Sequence, residues 1–317
     1  MKRLRNIYEN IYNMDNLCLA DQKARKHKSN QPGVILFDKN KELNLRSIQE
    51  RIQNKRYSTS VYTTFKIYEP KEREIFRLPY CPDRIIHHAI MNPLRHMFIS
   101  CFTADTYSCI PGRGIHGASY KLRSALKNVD GTTYCLKLDI KKFHPSISHD
   151  VLKRLLRKKI KDKDLLWLLD EIIDSAPGLP IGNYLSQYLA NFYLTYFDHW
   201  LKETKRVKHY FRYADDIVIL SNSKTELHQL LADIRKYLGI ELQLEIKNNY
   251  QVFLVESRGI DFVGYVHFHK YTRLRKGIKM NLVRAVAKNK VRSFGAYNGW
   301  LKHGDCIRLK QKLKLAA

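Results

Sequence analysis

The sequence predicts an α+β fold in which a small antiparallel sheet is backed by helices, and three patterns carry that expectation. The β-prone run TTYCLKL ends on Asp139, as a central strand would. The short runs HYFRY and IVIL are joined through Ala214, Asp215 and Asp216, which predicts a hairpin with two carboxylates at its tip. Leu227, Leu230, Leu231, Ile234 and Leu238 then recur at the spacing of an amphipathic helix. Strand, helices, hairpin, helix and further strands pack most simply as one sheet with helices on one face.

Taken in order, residues 1 to about 60 are rich in Lys, Arg, Asn and Gln, with Ile7, Tyr8 and Ile11 at helical spacing, so helices that touch backbone phosphates are expected there. The run VYTTFKIYEPKEREIFRLP alternates on both sides of a charged centre and reads as a hairpin with a basic tip. After the Asp139 strand, Val151, Leu152, Leu155 and Leu156 predict one helix. Leu165, Leu168, Leu169, Ile172 and Ile173 predict a second, ending before Pro177 and Gly178. A third helix is expected over about 184–202. Beyond the amphipathic helix, ELQLEI and QVFLV flank the turn-forming Asn248 and Asn249 and read as strands. No internal repeat or low-complexity linker interrupts the chain.

With 317 residues and 44% hydrophobic content the chain buries a sizeable core, which suits two to three associated subdomains and excludes a disordered tail. Lys plus Arg number 57 against 30 Asp plus Glu, a formal charge of +27, so a polyanionic partner is expected. Charge alone fits a basic ribosome-associated protein as well as a nucleic-acid enzyme. Six cysteines without a close CxxC pair exclude a zinc ribbon and a dithiol redox motif, and suggest a reducing compartment. The charged start MKRLRNIYENIYNMDN has no apolar signal core after it, and no stretch reaches the roughly 18 apolar residues of a membrane span. A cytoplasmic location is expected.

Asp139 at a strand end beside Asp215 and Asp216 at a hairpin tip suits one reaction class. Forming a phosphodiester requires an activated 3′-hydroxyl and a neutralised pyrophosphate, which two divalent ions do together. Mg2+ takes hard oxygen ligands, and three carboxylates with substrate phosphates and waters supply them. The bland alternative, turn aspartates bonding their own backbone, accounts for any one of these residues but poorly for DIKKF together with YADD.

YADD at 213–216, LKLDIKKFHPSI at 136–147 and GLPIGNYLSQ at 178–187 resemble successive reverse transcriptase motifs in order and spacing. EPKERE, PDRIIHHAI and SCIPGRGIHGA resemble the upstream finger motifs, and RGIDFVGY at 258–265 is similar to the primer grip. GLPIGNYLSQ, RGIDFVGY and YNGWLKHGD at 297–305 look most like the enzymes of diversity-generating retroelements, relatives of group II intron and retron reverse transcriptases. The resemblance implies a right-hand polymerase: an N-terminal extension and fingers over 1–130, a palm with the catalytic carboxylates and primer grip over 131–268, and a short basic helical thumb over 269–317. It implies RNA-directed DNA synthesis, error-prone at template adenines, serving targeted diversification in a bacterial or phage-encoded element. Its implied partners are an RNA template, a DNA or RNA primer, dNTPs, an accessory variability-determining protein and a structured template-repeat RNA.

Carried over residue by residue, Asp139, Asp215 and Asp216 are the implied catalytic ligands, joined by the Ile140 backbone, for two Mg2+ ions, with Mn2+ as a substitute. Lys71 and Arg73 match residues that grip the nucleotide, where a guanidinium pairs bidentately with phosphate; the alternative is an exposed charged turn. Phe143, His144, Ile181, Gly182 and Gln187 complete the implied nucleotide contacts. Arg113, Gly114, Ser186, Gly264 and Tyr265 are the implied nucleic-acid contacts. Retroviral relatives carry Gln where this chain has Ile181, and an apolar side chain there cannot hydrogen-bond the nucleotide; plain core packing is the other reading. The family places Phe or Tyr where this chain has His144, which puts sugar discrimination in question. Lys247 is a candidate proton donor to pyrophosphate or a surface lysine. The residues after Gly264 leave room for a small thumb, so RNase H, integrase and HNH endonuclease activities are expected to come from elsewhere. Two other readings stay open: a retron, group II intron-like, CRISPR-associated or phage-defence reverse transcriptase, and a catalytically silent RNA-binding scaffold.

Overall fold

The computed structural model describes residues 3–68, 72–289 and 291–314. The chain forms two compact units, each assembled from three stretches: Met1–Thr103, Lys142–Tyr196 and Gly239–Leu244 in the first, and Ala104–Lys141, Phe197–Leu238 and Glu245–Ala317 in the second.

Among the described residues the first unit's regular structure is helical apart from one hairpin and an isolated bridge between Leu4 and Ile160. Strands β1 (Thr63–Ile67) and β2 (Arg73–Arg77) pair antiparallel with Thr63 opposite Arg77, as the alternating run predicts. Residues 69–71 at its tip, Lys71 among them, lie outside the described residues. Helix His149–Arg157 buries Val151, Leu152, Leu155 and Leu156, and helix Lys163–Asp174 buries Leu165, Leu168, Leu169, Ile172 and Ile173, the faces read from spacing. Asp162 caps the second of these by accepting from Leu165 N–H. The same carboxylate accepts from Ile7 and Tyr8 N–H at 2.7 and 3.0 Å, so it satisfies orphan donors at two helix starts. The N-terminal residues are thereby tied to the unit rather than left as a tail: Ile11 is fully buried, and the Tyr8 hydroxyl donates to the Ile52 carbonyl.

The second unit holds the sheet. Strands β3 (Thr106–Tyr107), β4 (Tyr134–Asp139), β5 (His209–Tyr213), β6 (Asp216–Ser221) and β7 (Gln251–Leu254) lie in the order β3-β5-β6-β4-β7. β4 is central, between β6 and β7, as its apolar run predicts. The expected antiparallel sheet is formed by β4 to β7, and the two-residue β3 adds a parallel partner to β5 at its edge. A second sheet runs β10-β9-β8, from β8 (Ile260–Phe262), β9 (Tyr265–His267) and β10 (Thr272–Leu274). Cys135, Phe211, Val218 and Leu220 on one sheet face pack with Ala118 and Leu122 of helix Ile115–Leu126, with Phe262 and Tyr265 of the second sheet, and with Leu282 and Leu301 of the C-terminal helices. A buried face of this kind fixes strand register, since a one-residue slip would expose it.

Two expectations change. ELQLEI is not a strand: helix Lys224–Leu242 continues through its start, burying Leu238 and Leu242 four residues apart, and only Ile246 forms an isolated bridge, to Ile140. The helix expected over about 184–202 is divided into Tyr184–Tyr193 and Thr195–His199, followed by a wide turn over Trp200–Thr204. Among the described residues no helix is long and apolar enough to cross a membrane.

Candidate active site

The geometry of the carboxylates follows from strand register. β4 and β6 pair antiparallel with Asp139 opposite Asp216, and β5 pairs with β6 so that Tyr213 also lies opposite Asp216. Side chains alternate faces along a strand and directly opposed residues share a face. Lys137, Asp139 and Asp216 are therefore on one face, Tyr210 and Arg212 on the other. Ala214 and Asp215 form the two-residue connection between β5 and β6. Such loops need positive φ at their first position, and Ala214 adopts φ 55 there, a conformation that costs a non-glycine residue about 1–2 kcal/mol.

Two lysines hold two of the carboxylates. Lys247 Nζ donates to Asp139 Oδ1 at 2.5 Å, and its N–H donates to the Asp139 carbonyl at 2.9 Å. Lys137 Nζ donates to Asp216 Oδ1 and Oδ2 at 2.9 and 3.2 Å, and also to the Asp261 carbonyl on β8. This arrangement joins the Asp216 carboxylate to strand β8. Burial first, and the neighbouring Asp139 carboxylate second, push the Asp215 pKa up to about 6. Burial also raises Asp216, with Lys137 opposing the shift. Carboxylates lifted by burial and mutual repulsion mark a place that takes additional positive charge favourably. Among the described residues no three His, Cys, Asp or Glu side chains form a ready metal cage. The donor set still fits hard divalent cations, which take carboxylate and carbonyl oxygens and keep several waters.

The other predicted residues fall into separate groups. In the first unit, Phe76 N–H donates to the Ile181 carbonyl at 2.8 Å, and Leu179 N–H to the His144 carbonyl at 2.9 Å. The loop 178–182 is thus held to β2 on one side and to the 143–146 turn on the other, gathering β2, His144, Ile181 and Gly182. Arg73, at the start of β2, and Gln187 are exposed; Phe143 and Ser186 are buried. The His144 ring meets Phe143 edge-on with centroids 5.6 Å apart, and its Nδ1 is buried without a hydrogen-bond partner among the described residues. Burial lowers its pKa, so the imidazole is neutral at neutral pH.

In the second unit, Ile140 is fully buried beside the carboxylates. Gly264 has φ 88, its position packed against the Trp300 ring, and Tyr265 is buried with its hydroxyl donating to the Trp300 carbonyl at 3.1 Å. Arg113 and Gly114 sit in a different turn, where Arg113 N–H donates to Ile110 and its carbonyl accepts from Ser108. Sequence reasoning missed Lys137, although its place two residues before Asp139 on one strand puts it on the same face. It also missed a fully buried Asp198–Arg212 pair beneath the hairpin.

The family model described as reverse transcriptase (RNA-dependent DNA polymerase) matches residues 69–267, which include all three carboxylates. Protein YkfC of Escherichia coli (strain K12) is 23% identical over 279 residues, covering 73% of this chain and 72% of that protein. The retron Ec73 reverse transcriptase of Escherichia coli is 31% identical over 175 residues, covering 48% of this chain and 54% of that enzyme. Among solved structures, the apo telomerase of Candida tropicalis superposes with a TM-score of 0.50 at 12% identity, covering 67% of this chain and 48% of that one. At that identity the likeness shows the fold alone, a right-hand polymerase. The chain spans about half the length of the retron enzyme and of the telomerase chain.

Proposed function

The chain belongs to the reverse transcriptase (RNA-dependent DNA polymerase) family of nucleotidyltransferases, and from that premise we propose that it synthesises DNA on an RNA template through Asp139, Asp215 and Asp216. The register that sets Asp139 opposite Asp216, with Asp215 in the adjoining turn, carries this reading. The three carboxylates and the Ile140 carbonyl would hold two divalent ions, Mg2+ or Mn2+, which when bound neutralise charge on the attacking and leaving oxygens. The protein's own part is orientation. Lys137 fixes the Asp216 carboxylate to β8, and Lys247 fixes the Asp139 carboxylate at the end of β4. On the same reading the first unit contributes nucleotide contacts from Lys71, Arg73, Phe143, His144, Ile181, Gly182 and Gln187, and a template contact from Ser186. The second unit contributes template and primer contacts from Arg113, Gly114, Gly264 and Tyr265. The excess of basic residues tracks the phosphate backbones.

More finely, we assign the enzyme to the diversity-generating class, making cDNA with errors at template adenines alongside an accessory protein and a structured template-repeat RNA. GLPIGNYLSQ and YNGWLKHGD support this, together with Ile181, whose side chain cannot hydrogen-bond an incoming nucleotide. The expected result is misincorporation opposite template adenine at least about ten times that opposite the other bases, reduced several-fold in Ile181→Gln. Sequencing the products of copied RNA templates measures both. Equal accuracy at all four bases overturns the assignment. The 31% identity to a retron enzyme favours the second reading, in which the same polymerase serves a retron; products as accurate at adenine as elsewhere are what that reading expects.

A further inference from the structure

We propose that Asp198 and Arg212 form a positioning device for the catalytic hairpin, fixing the Ala214–Asp215 turn from the sheet face opposite Asp139 and Asp216. The function it serves rests on the polymerase reading; the anchoring itself does not. Both side chains are 0% exposed. Desolvating two charges gains little over well-packed apolar side chains of equal volume, so such a pair is better explained by what it holds in place than by stability.

The geometry identifies what is held. Arg212 Nε and Nη2 donate to Asp198 Oδ1 and Oδ2 at 2.8 and 2.5 Å, a fork that locks the guanidinium plane. Asp198 is itself fixed, with Oδ1 accepting from the Tyr210 hydroxyl at 2.6 Å and Oδ2 from Thr106 Oγ1 at 2.9 Å. Donors on β3 and β5 thus immobilise the carboxylate, and the carboxylate immobilises the guanidinium. The third guanidinium nitrogen, Nη1, donates to the Ala214 carbonyl at 3.0 Å. That carbonyl belongs to the peptide immediately before Asp215, on the one turn residue held at unfavourable positive φ. A strained turn persists where its surroundings over-determine it, and a planar fork supplies three fixed directions where a lysine ammonium supplies one point charge. Asp198 and Arg212 touch no reacting atoms; they act through the turn.

The full chain is compared with Arg212→Lys, which keeps a cation beside Asp198 but loses the fork, and with Asp198→Leu/Arg212→Met, which fills the space with apolar groups. Hydrogen–deuterium exchange of the 212–217 peptide is expected to quicken at least about ten-fold in either variant that melts cooperatively, with the 134–139 peptide unchanged. Single-turnover primer extension per folded molecule is expected to slow by about 30- to 100-fold, the cost of a small displacement at the reacting centre, while half-saturation by dNTP moves less than about three-fold. If exchange of that peptide stays within two-fold of wild type, the proposal is overturned. It is overturned too if activity falls only with the folded fraction, since the pair would then serve folding alone. A wild type that extends no primer fails the polymerase reading, and the exchange result still decides the anchoring.

Discussion

Asp215→Asn is expected to lower the single-turnover rate of primer extension by at least about 1,000-fold while the thermal midpoint stays the same or rises. Asn keeps the shape of Asp and removes one anionic oxygen from a set whose purpose, on this account, is to hold cations. The stability half of the prediction has the opposite sign from that of an ordinary buried salt bridge. Asp215 is raised to about 6 in the folded chain by burial and by Asp139, so its ionised form works against folding at neutral pH. A neutral side chain removes that opposition, the pattern of a site where function is kept at the cost of stability. Asp139→Asn should lose activity as severely, while reducing the 2.5 Å ion pair with Lys247 to a hydrogen bond with a neutral acceptor. Melting curves and rapid-quench extension check both. An Asp215→Asn enzyme within ten-fold of wild type would remove the carboxylates from the mechanism.

Gly182→Ala carries the largest expected structural effect. Gly182 has φ +129, a region essentially restricted to glycine, and an added Cβ would lie 2.2 Å from the Phe76 carbonyl oxygen. The obstruction is backbone, which cannot swing aside like a side-chain tip. The Phe76 N–H to Ile181 carbonyl bond next to it must break or stretch. Strain and overpacking together are expected to cost about 3–5 kcal/mol, lowering the midpoint by on the order of 10 °C. Because the same loop holds β2 and His144 together, activity should fall by about 100-fold in the molecules that remain folded. Gly239→Ala is the control: a Cβ there meets open space within helix Lys224–Leu242, and the change should be neutral or stabilising by about 1 kcal/mol. Equal midpoints for the two variants would show that the 178–182 loop is not tied to β2 as described.

Much of the site was legible in the chain because it is built from short-range patterns. β4 ends on Asp139, and β5 and β6 flank a two-residue turn, so period-2 alternation and a dipeptide of aspartates located all three carboxylates without tertiary information. Helices with wide apolar stripes, such as His149–Arg157 and Lys163–Asp174, were legible for the same reason. What failed depended on distant partners. ELQLEI alternates like a strand, yet its first residues continue a helix because Leu242 follows Leu238 into the core, and helical and strand periodicities overlap over so short a run. The two-residue β3 has no pattern of its own; its parallel partner defines it. Asp198 lies within the helix expected over about 184–202 and carries no pattern that marks it, and only the fold shows it buried against Arg212, fourteen residues away. Lys137 was legible in principle, two residues before Asp139, but its bond to the Asp261 carbonyl joins positions 124 residues apart.

Extension of an end-labelled DNA primer on an RNA template of defined sequence, by the full chain with Mg2+ and with each dNTP withheld in turn, tests the central claim most directly. The account predicts products that halt one position before the template base complementary to the withheld nucleotide, that vanish when the divalent ion is chelated, and that are absent with Asp215→Asn. Nucleotide addition that ignores the template, or no addition to any primer on RNA or DNA templates, would contradict it.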